Sequence, residues 1–565
     1  MAADYDVVII GAGVAGALCA WRLSEGPNPP RILLLEEGDN GLDNNQRQQF
    51  VDAYMRAPIK GTTSPYSELA SAKPLASPES GSDRFLLNRY FVEAGPDLFK
   101  SNYLRVLGGS TWTWRGNTPR FIPSDFKLKE LYGVGADWPI TYDKIEPWYC
   151  EAEKQLGVAG NDEQWNNLFG AHRSQPYPMP NIVPSYGDGL VMKAVNGLEI
   201  DGRTIEVLAM PQARNSQPYD GRKECEGYAT CIPICPNGSK YDASVHLKKA
   251  RAHGVELRPG AVVTRLELEP GTSTVRTIRF REWSAPDKGE QKVTARLVVL
   301  AANAIETTKL WLLSGLANRS DQVGRNLMDH LAEEVTGLFP EPIYPFRGPQ
   351  SNCCIEVFRD GQFRKTCGAF RMTVGMDGWG RKELPFASLD KLMWSAQEKK
   401  LLRFGQDLQR ELAQRVTRML RIGYSTEQLP NASNRVTLSD EKDTLDIPRP
   451  RISFSVDDYS KKALAYGQRV ARRIFESIPG AEEIDPVEPS FNYNGAGHIM
   501  GTLRMGADKY VSVVDSNGRS HEHPNLYVLG SSIFTTGSTA NPTLTVAALS
   551  LKSAENITEA LKNAA

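Results

Sequence analysis

Residues Gly11-Ala12-Gly13-Val14-Ala15-Gly16 have the spacing that lets a backbone hold a pyrophosphate. In a G-x-G-x-x-G loop the first glycine makes the tight turn and the second admits the phosphates. The third packs the next helix onto its strand, whose N-terminus faces the anion. Glu36 stands 20 residues after Gly16, where a carboxylate bonds a ribose hydroxyl. An acid there disfavours a 2′-phosphate and so NADP. Leu107-Gly108-Gly109-Ser110-Thr111 is a second glycine pair suited to close contact with a cofactor. A different chemistry is carried by Cys225, Cys231 and Cys235, spaced C-x5-C-x3-C with Pro236 after the last. Thiolates so placed suit an iron–sulfur cluster. Zinc would want a fourth ligand that is missing nearby, and a disulfide plus one free thiol is the plain alternative.

The elements that must position these residues follow from periodicity. Residues 5–10 (YDVVII) read as a buried parallel strand, Val14 through Trp21 to about Ser24 as a helix, and Arg31 to Glu36 as a second strand. Together they make a βαβ unit. Residues 40–105 are polar and rich in Pro, Gly and Ser, which suggests a lid, cofactor cover or subunit contact. The runs 261–268 and 297–302 read as strands with which the cofactor-binding fold resumes after an insertion. Residues 394–421 read as one or two amphipathic helices. LYVLGSS after Pro524 reads as a strand, and Thr543 to about Leu561 as a closing helix. The glycine loop alone fits NAD or FAD. The second glycine pair and the C-terminal strand–helix add approaches to the cofactor that an extended FAD needs and NAD does not.

The predicted fold class is α/β, and the family resemblance carried by the motifs quoted below implies a Rossmann-like FAD-binding domain with an interleaved substrate domain on an antiparallel sheet. The expected boundaries give the FAD domain residues 1–40, 100–150, 225–330 and 500–565, and the lid 41–99. The substrate domain takes 151–224 and 331–499. Of the 565 residues, 41% are hydrophobic and 24% charged, as in globular proteins. With 66 basic and 67 acidic residues the net charge is −1, so no global field gathers nucleic acid or a membrane surface. No run reaches the roughly 20 apolar residues of a membrane span. The opening MAADYDVVIIGAGVAGA lacks a basic n-region and runs into a glycine turn, unlike a signal peptide. The expectation is a chain that stays in the cytoplasm or is exported on a partner. Eight cysteines are too few for a disulfide scaffold.

Four separated motifs then occur in one order: the glycine loop, LGGST, Gly497-His498-Ile499-Met500-Gly501-Thr502, and Asn541-Pro542-Thr543-Leu544-Thr545. Along nearly the whole chain this resembles the glucose–methanol–choline (GMC) oxidoreductases. The resemblance places His498 and Asn541 on the catalytic pair flanking the flavin. Neutral imidazole suits removal of an alcohol proton near pH 7, and Asn541 can hold the same oxygen. Pro542 is expected at the first helical position with Asn541 as N-cap, the dipole aimed at the flavin. Expected cofactor contacts are Gly11, Gly13, Val14, Ala15, Gly16, Glu36, Gly108, Gly109, Ser110 and Thr113. Val263, Ala302, Asn303, Ser531, Pro542 and Thr543 complete them. Family members that tether FAD use a histidine just after the GG turn; Gly108 to Trp114 contains none, so FAD is expected to be non-covalent. His330 matches a family segment expected to be structural.

The segments 213–222, 120–126 and 132–135, with the cysteines, resemble the catalytic subunits of bacterial membrane-associated sugar dehydrogenases. That implies a [3Fe–4S] cluster on Cys225, Cys231 and Cys235 relaying electrons to a cytochrome c subunit. It also implies a small subunit carrying a twin-arginine signal, and a periplasmic place reached through those partners. Glu226 stands where the glucose and fructose enzymes have a further cysteine, and Gly497 where they have Asn. The alternative is a pyranose or glycoside oxidase giving electrons to O2, with structural cysteines. Residues 330–495 are expected to set specificity, without any one being assignable.

Overall fold

The computed structural model describes residues 3–43, 45–56, 90–282, 285–378, 389, 392–395, 399–443, 445–485 and 492–563. Strand Tyr5–Ile10 lies between two parallel neighbours, Ile32–Leu35 on one side and the end of Gln291–Leu300 on the other. Val7, Val8 and Ile9, like Leu33, Leu34 and Leu35, are fully buried. Such unbroken apolar runs belong to a sheet covered on both faces, each side chain contributing roughly 1.5–3 kcal/mol. Glu256–Arg258 extends the sheet beyond Ile32–Leu35. Gln291–Leu300 serves twice: its end also pairs parallel with Leu526–Val528, and its start turns antiparallel against Val275–Glu282 and then Ala261–Leu268. Helices Val14–Ser24, Ser244–Ala252 and Thr543–Asn563 pack together over this sheet.

The second sheet has six strands in the order Asn494–Gly495, Leu331–Leu338, Met419–Thr426, Phe370–Gly375, Ser351–Ile355 and Leu208–Ala209. All its pairings are antiparallel. Alternation fixes its two faces. Phe370, Met372, Val374, Leu420 and Ile422 are buried in a core shared with Leu464, Val470 and Phe475 of helix Asp458–Glu476. The opposite face carries Arg371, Thr373, Arg421 and Ser425.

Three expectations need correction. The strand expected at 297–302 ends at Leu300, since Ala301 and Ala302 turn into helix Asn303–Leu313. The segment 394–421 is not one helical unit. Its helix is Gly405–Arg418, preceded by short paired strands and followed by strand Met419–Thr426. The apolar period changes to two at Leu420-Arg421-Ile422, and that change ends the helix. At the closing helix, Thr543–Asn563, the Val546 amide bonds the Pro542 carbonyl at 2.9 Å, making Pro542 the cap residue. Asn541 is thus one position outside, its carboxamide engaged elsewhere. Helix Gln46–Arg56 falls in the expected lid, whose residues 57–89 lie outside the described residues. No described helix is long and apolar enough to cross a membrane.

Candidate active site

A cavity of about 1030 Å³ runs from the glycine loop to the second sheet. That is the upper end of ordinary ligand sites. Gly11, Gly13, Val14, Ala15, Glu36, Gly109, Ser110 and Thr113 line it, with Val263, Ala302, Asn303, Ser531, Pro542 and Thr543. Gly16 and Gly108 do not. A Cβ on Gly16 would sit 2.0 Å from the Gly11 carbonyl oxygen, so this glycine packs helix against turn. Gly108, at φ +97°, donates its amide to Ala12 at 3.1 Å, with the Trp112 indole beneath it. Both shape the cradle from outside its lining. Asn303 lines the cavity, but its Oδ1 caps its own helix, accepting from Ile305 at 2.8 Å.

The cradle fits an extended dinucleotide. Gly13 begins helix Val14–Ser24 with no side-chain cap, and a Cβ there would meet no protein atom within 4 Å. The open space lies where a pyrophosphate would approach the helix N-terminus. Glu36 accepts the amides of Ala12 at 2.7 Å and Gly38 at 2.9 Å. Burial, only partly offset by those bonds, pushes its carboxyl up to about 7.

These two glycines give a paired prediction. Gly16→Ala should destabilise the fold by about 1–3 kcal/mol through overpacking, read as a lower thermal midpoint. Gly13, at φ −73°, admits alanine without strain. Gly13→Ala should keep its midpoint but purify with a reduced flavin-to-protein absorbance ratio; full flavin content would contradict the phosphate cradle.

At the other end of the cavity stand His498 and Asn541, with Asn541 Nδ2 3.0 Å from His498 Nε2. Their surroundings fix every proton. His330 Nε2 lies 3.1 Å from the Gly537 carbonyl, which can only accept, so Nε2 carries the hydrogen. Complete burial lowers His330 to about 4, leaving it neutral with a bare Nδ1. That nitrogen lies 2.9 Å from His498 Nδ1, which must therefore donate. Burial first, then the neighbouring His330 and Arg371, hold His498 well below the ordinary imidazole value. It is neutral, and its unprotonated Nε2 accepts from the Asn541 NH2, a bond that an entering hydroxyl would replace. Asn541 completes the chain: Arg371 donates to its Oδ1 at 2.9 Å, which turns the NH2 toward His498.

Two buried carboxylates anchor this arrangement. Asp329 accepts the amides of His330 at 2.7 Å and His498 at 2.8 Å, and the Ser101 hydroxyl. Burial raises its carboxyl to about 6 against those bonds. Glu356 takes Arg371 at 2.5 Å and Arg359 at 3.1 Å. Sequence reasoning missed Arg371, Glu356 and Asp329. It read His330 as structural, and His330 does stay outside the cavity lining while setting the tautomer of His498.

The second sheet supplies the remaining wall. Across its strands Arg371 pairs with Ser425, Thr373 with Gly423 and Gly375 with Arg421. Arg371, Thr373, Arg421, Ser425 and Glu334 all line the cavity. Arg421 is paired with Asp377 at 2.7 Å and Glu334 at 3.3 Å. Arg115, another wall residue, lies 3.6 Å from the same Asp377. The signal available in the sequence was the alternation of RMTVG and LRIGYS, polar on one side and apolar on the other.

The three cysteines are free thiols on one loop, Cys231 and Cys235 buried and Cys225 half-buried. They lie outside the cavity lining, although Ile232 is part of it. Burial raises Cys225 against the charge of Arg214. Cys235 is lowered despite its burial by hydrogen bonds from Ser239 and the Lys240 amide and by the charges of Lys240 and Arg47. Among the described residues no group of three His, Cys, Asp or Glu stands in metal-binding arrangement. The cysteines share a loop, therefore, without forming a preassembled ligand set.

A dinucleotide cradle opening onto a neutral imidazole, a carboxamide and a polar sheet defines a nucleotide-cofactor oxidoreductase. Models of one family, described as GMC oxidoreductase, match residues 206–332 and 430–550. The fructose dehydrogenase large subunit of Gluconobacter japonicus is 35% identical, over 99% of this chain and 98% of that protein. Paromamine 6'-oxidase of Streptomyces fradiae is 28% identical, over 98% and 91%. The crystal structure of pyridoxine 4-oxidase from Mesorbium loti has the same fold, with a TM-score of 0.61 at 19% identity over 98% of each chain. The chain belongs to the GMC oxidoreductase family, whose members are flavoenzymes acting on CH–OH groups.

Proposed function

We propose that this enzyme oxidises a hydroxyl group of a neutral sugar or polyol and passes the electrons to an external acceptor. The observation that carries this reading is the cavity wall that the second sheet supplies beside His498 and Asn541. It is a sheet face of hydroxyls and guanidiniums, each wall arginine matched by a carboxylate. Such a surface offers hydrogen bonds to a polyhydroxylated ligand, and with its charges matched it gives no net attraction to a sugar acid. An apolar alcohol would leave those groups unsatisfied.

FAD, held by the glycine cradle, Glu36 and the start of helix Thr543–Asn563, supplies a hydride acceptor when bound. The chain's own part is to fix the alcohol and move its proton. His498 Nε2 takes the hydroxyl proton, and Asn541 Nδ2 donates to the same oxygen. Arg371 and His330 keep both groups turned toward it. FAD is non-covalent in this reading, so acid precipitation should release it.

We further assign Cys225, Cys231 and Cys235 to a [3Fe–4S] cluster. Support comes from the thiolate-favouring charges around Cys235 and from the similarity to a dehydrogenase large subunit. In the same reading the chain works in the periplasm, carried by a small twin-arginine subunit and joined to a cytochrome c subunit.

One comparison tests the acceptor. With a neutral sugar as donor, the enzyme should reduce ferricyanide or a dye many times faster than it makes peroxide in air. It should also contain about three irons per flavin. Peroxide matching sugar consumption, in an iron-free protein, would favour the oxidase instead.

A further inference from the structure

The polar wall extends well past the catalytic pair. His330, which sets the tautomer of His498, directly precedes strand Leu331–Leu338, whose Leu331 pairs with Thr426. Arg371, which holds Asn541, pairs with the neighbouring Ser425. Both catalytic side chains are therefore held at one end of the sheet. The wall continues along the strands to Gly375 and its partner Arg421, four residues beyond Arg371. At about 3.4 Å per residue, that is about 14 Å. One pyranose ring beside His498 leaves the far half of that length uncovered, whereas two joined rings cover it.

The far half is built for hydrogen bonding. Arg421 lies flat on the sheet: a Cβ on Gly375 would sit 2.4 Å from its Nη2, and one on Gly423 2.7 Å from its Nη1. Glycine inside a strand costs stability and marks a close approach. Here the two glycines make room for the guanidinium, which keeps this stretch of wall low. Buried Asp377 accepts from Arg421 Nε at 2.8 Å, and Glu334 lies 3.3 Å from Nη1. Arg115 donates to Ser351 at 3.2 Å, and Ser351 pairs with Gly375, so both belong to the same end. Arg421, Arg115, Glu334 and Ser351 all line the cavity. Two guanidiniums against two carboxylates leave no net charge to favour a sugar acid or a phosphate. An apolar group would leave these donors and acceptors unmatched. A neutral ring bearing hydroxyls meets both conditions.

We infer that Arg421, Arg115, Glu334 and Ser351 form a second saccharide subsite, and that the substrate is a disaccharide or a glycoside of similar length. The inference rests on the sugar reading above. One ring is oxidised beside His498 and Asn541, and the ring joined to it rests at the far end of the wall. Contacts to that second ring supply binding energy remote from the reacting carbon, which helps to hold the hydroxyl in place.

The test uses the whole enzyme with ferricyanide as acceptor, comparing glucose, galactose and fructose with maltose, cellobiose, lactose and sucrose. The best disaccharide should exceed the best monosaccharide in kcat/KM by about tenfold or more. A monosaccharide used as well as every disaccharide would overturn the second subsite and leave the sugar reading standing. Flavin that no sugar of either kind bleaches would overturn the sugar reading itself. Glu334→Ala tests the place of the subsite, since Arg421 keeps Asp377 in that variant. It should lower the ratio of disaccharide to monosaccharide kcat/KM about tenfold. Should that variant lose its flavin, Ser351→Ala is read by the same ratio. A ratio equal to that of the wild type would overturn the assignment to this end of the wall.

Discussion

His498→Ala is expected to lower kcat/KM for the sugar by about 10²–10⁴, the contribution of a positioned general base. The loss should appear in the rate of flavin bleaching under anaerobic mixing, before any acceptor takes part. Flavin content should not change, because the glycine cradle and Glu36 lie at the other end of the cavity. The pH profile provides a second readout. His498 works only when neutral, and burial with the nearby His330 and Arg371 holds it below the usual 6.5. In the wild type, activity is complete above that lowered value and is lost as pH falls through it. The plateau should therefore extend below pH 6.5 before the acid limb begins. A variant that still bleaches its flavin at the wild-type rate would remove His498 from the reaction.

Much of this site was legible in the sequence because its parts are local. The glycine loop, Glu36 and the two C-terminal motifs each lie within a few residues, where spacing alone implies a turn, a cap or a reactive side chain. The βαβ unit was legible for the same reason, its helix Val14–Ser24 falling where the periodicity put it. What escaped depends on contacts distant in sequence. Arg371 reaches Asn541 across 170 positions, and His330 reaches His498 across 168. No local pattern separates those residues from ordinary strand and turn residues. The helix boundary near Arg418 escaped because one charged segment contains both a period of 3.6 and, from Leu420, a period of two. The cysteines are the converse case. Their spacing is suggestive, yet in the free chain they share a loop without a converged ligand set.

The second large effect concerns Glu356, which holds two guanidiniums in the core. Glu356 and Arg359 are each 1% exposed and Arg371 is 2% exposed. Despite burial, which opposes it, the two arginines keep the Glu356 carboxyl below its usual 4.5. Its contribution to stability is therefore present above 4.5 and lost only as pH falls through the lower folded value. Glu356→Ala leaves both arginines without this partner, and breaking such a buried pair costs about 3–5 kcal/mol. The variant should denature at clearly lower urea concentration and show reduced turnover. Glu356→Gln with Arg371→Met separates the two effects. Removing both charges of the pair should restore most of the stability, since a buried ion pair and an apolar replacement differ little. Arg359 keeps Asp125 at 3.7 Å and the Arg120 carbonyl at 2.8 Å. Turnover should nevertheless stay low, because nothing then turns the Asn541 NH2 toward His498. A stable double variant with full turnover would reduce Arg371 to a packing residue. A stable one with low turnover and normal flavin content identifies it as the group that orients the carboxamide.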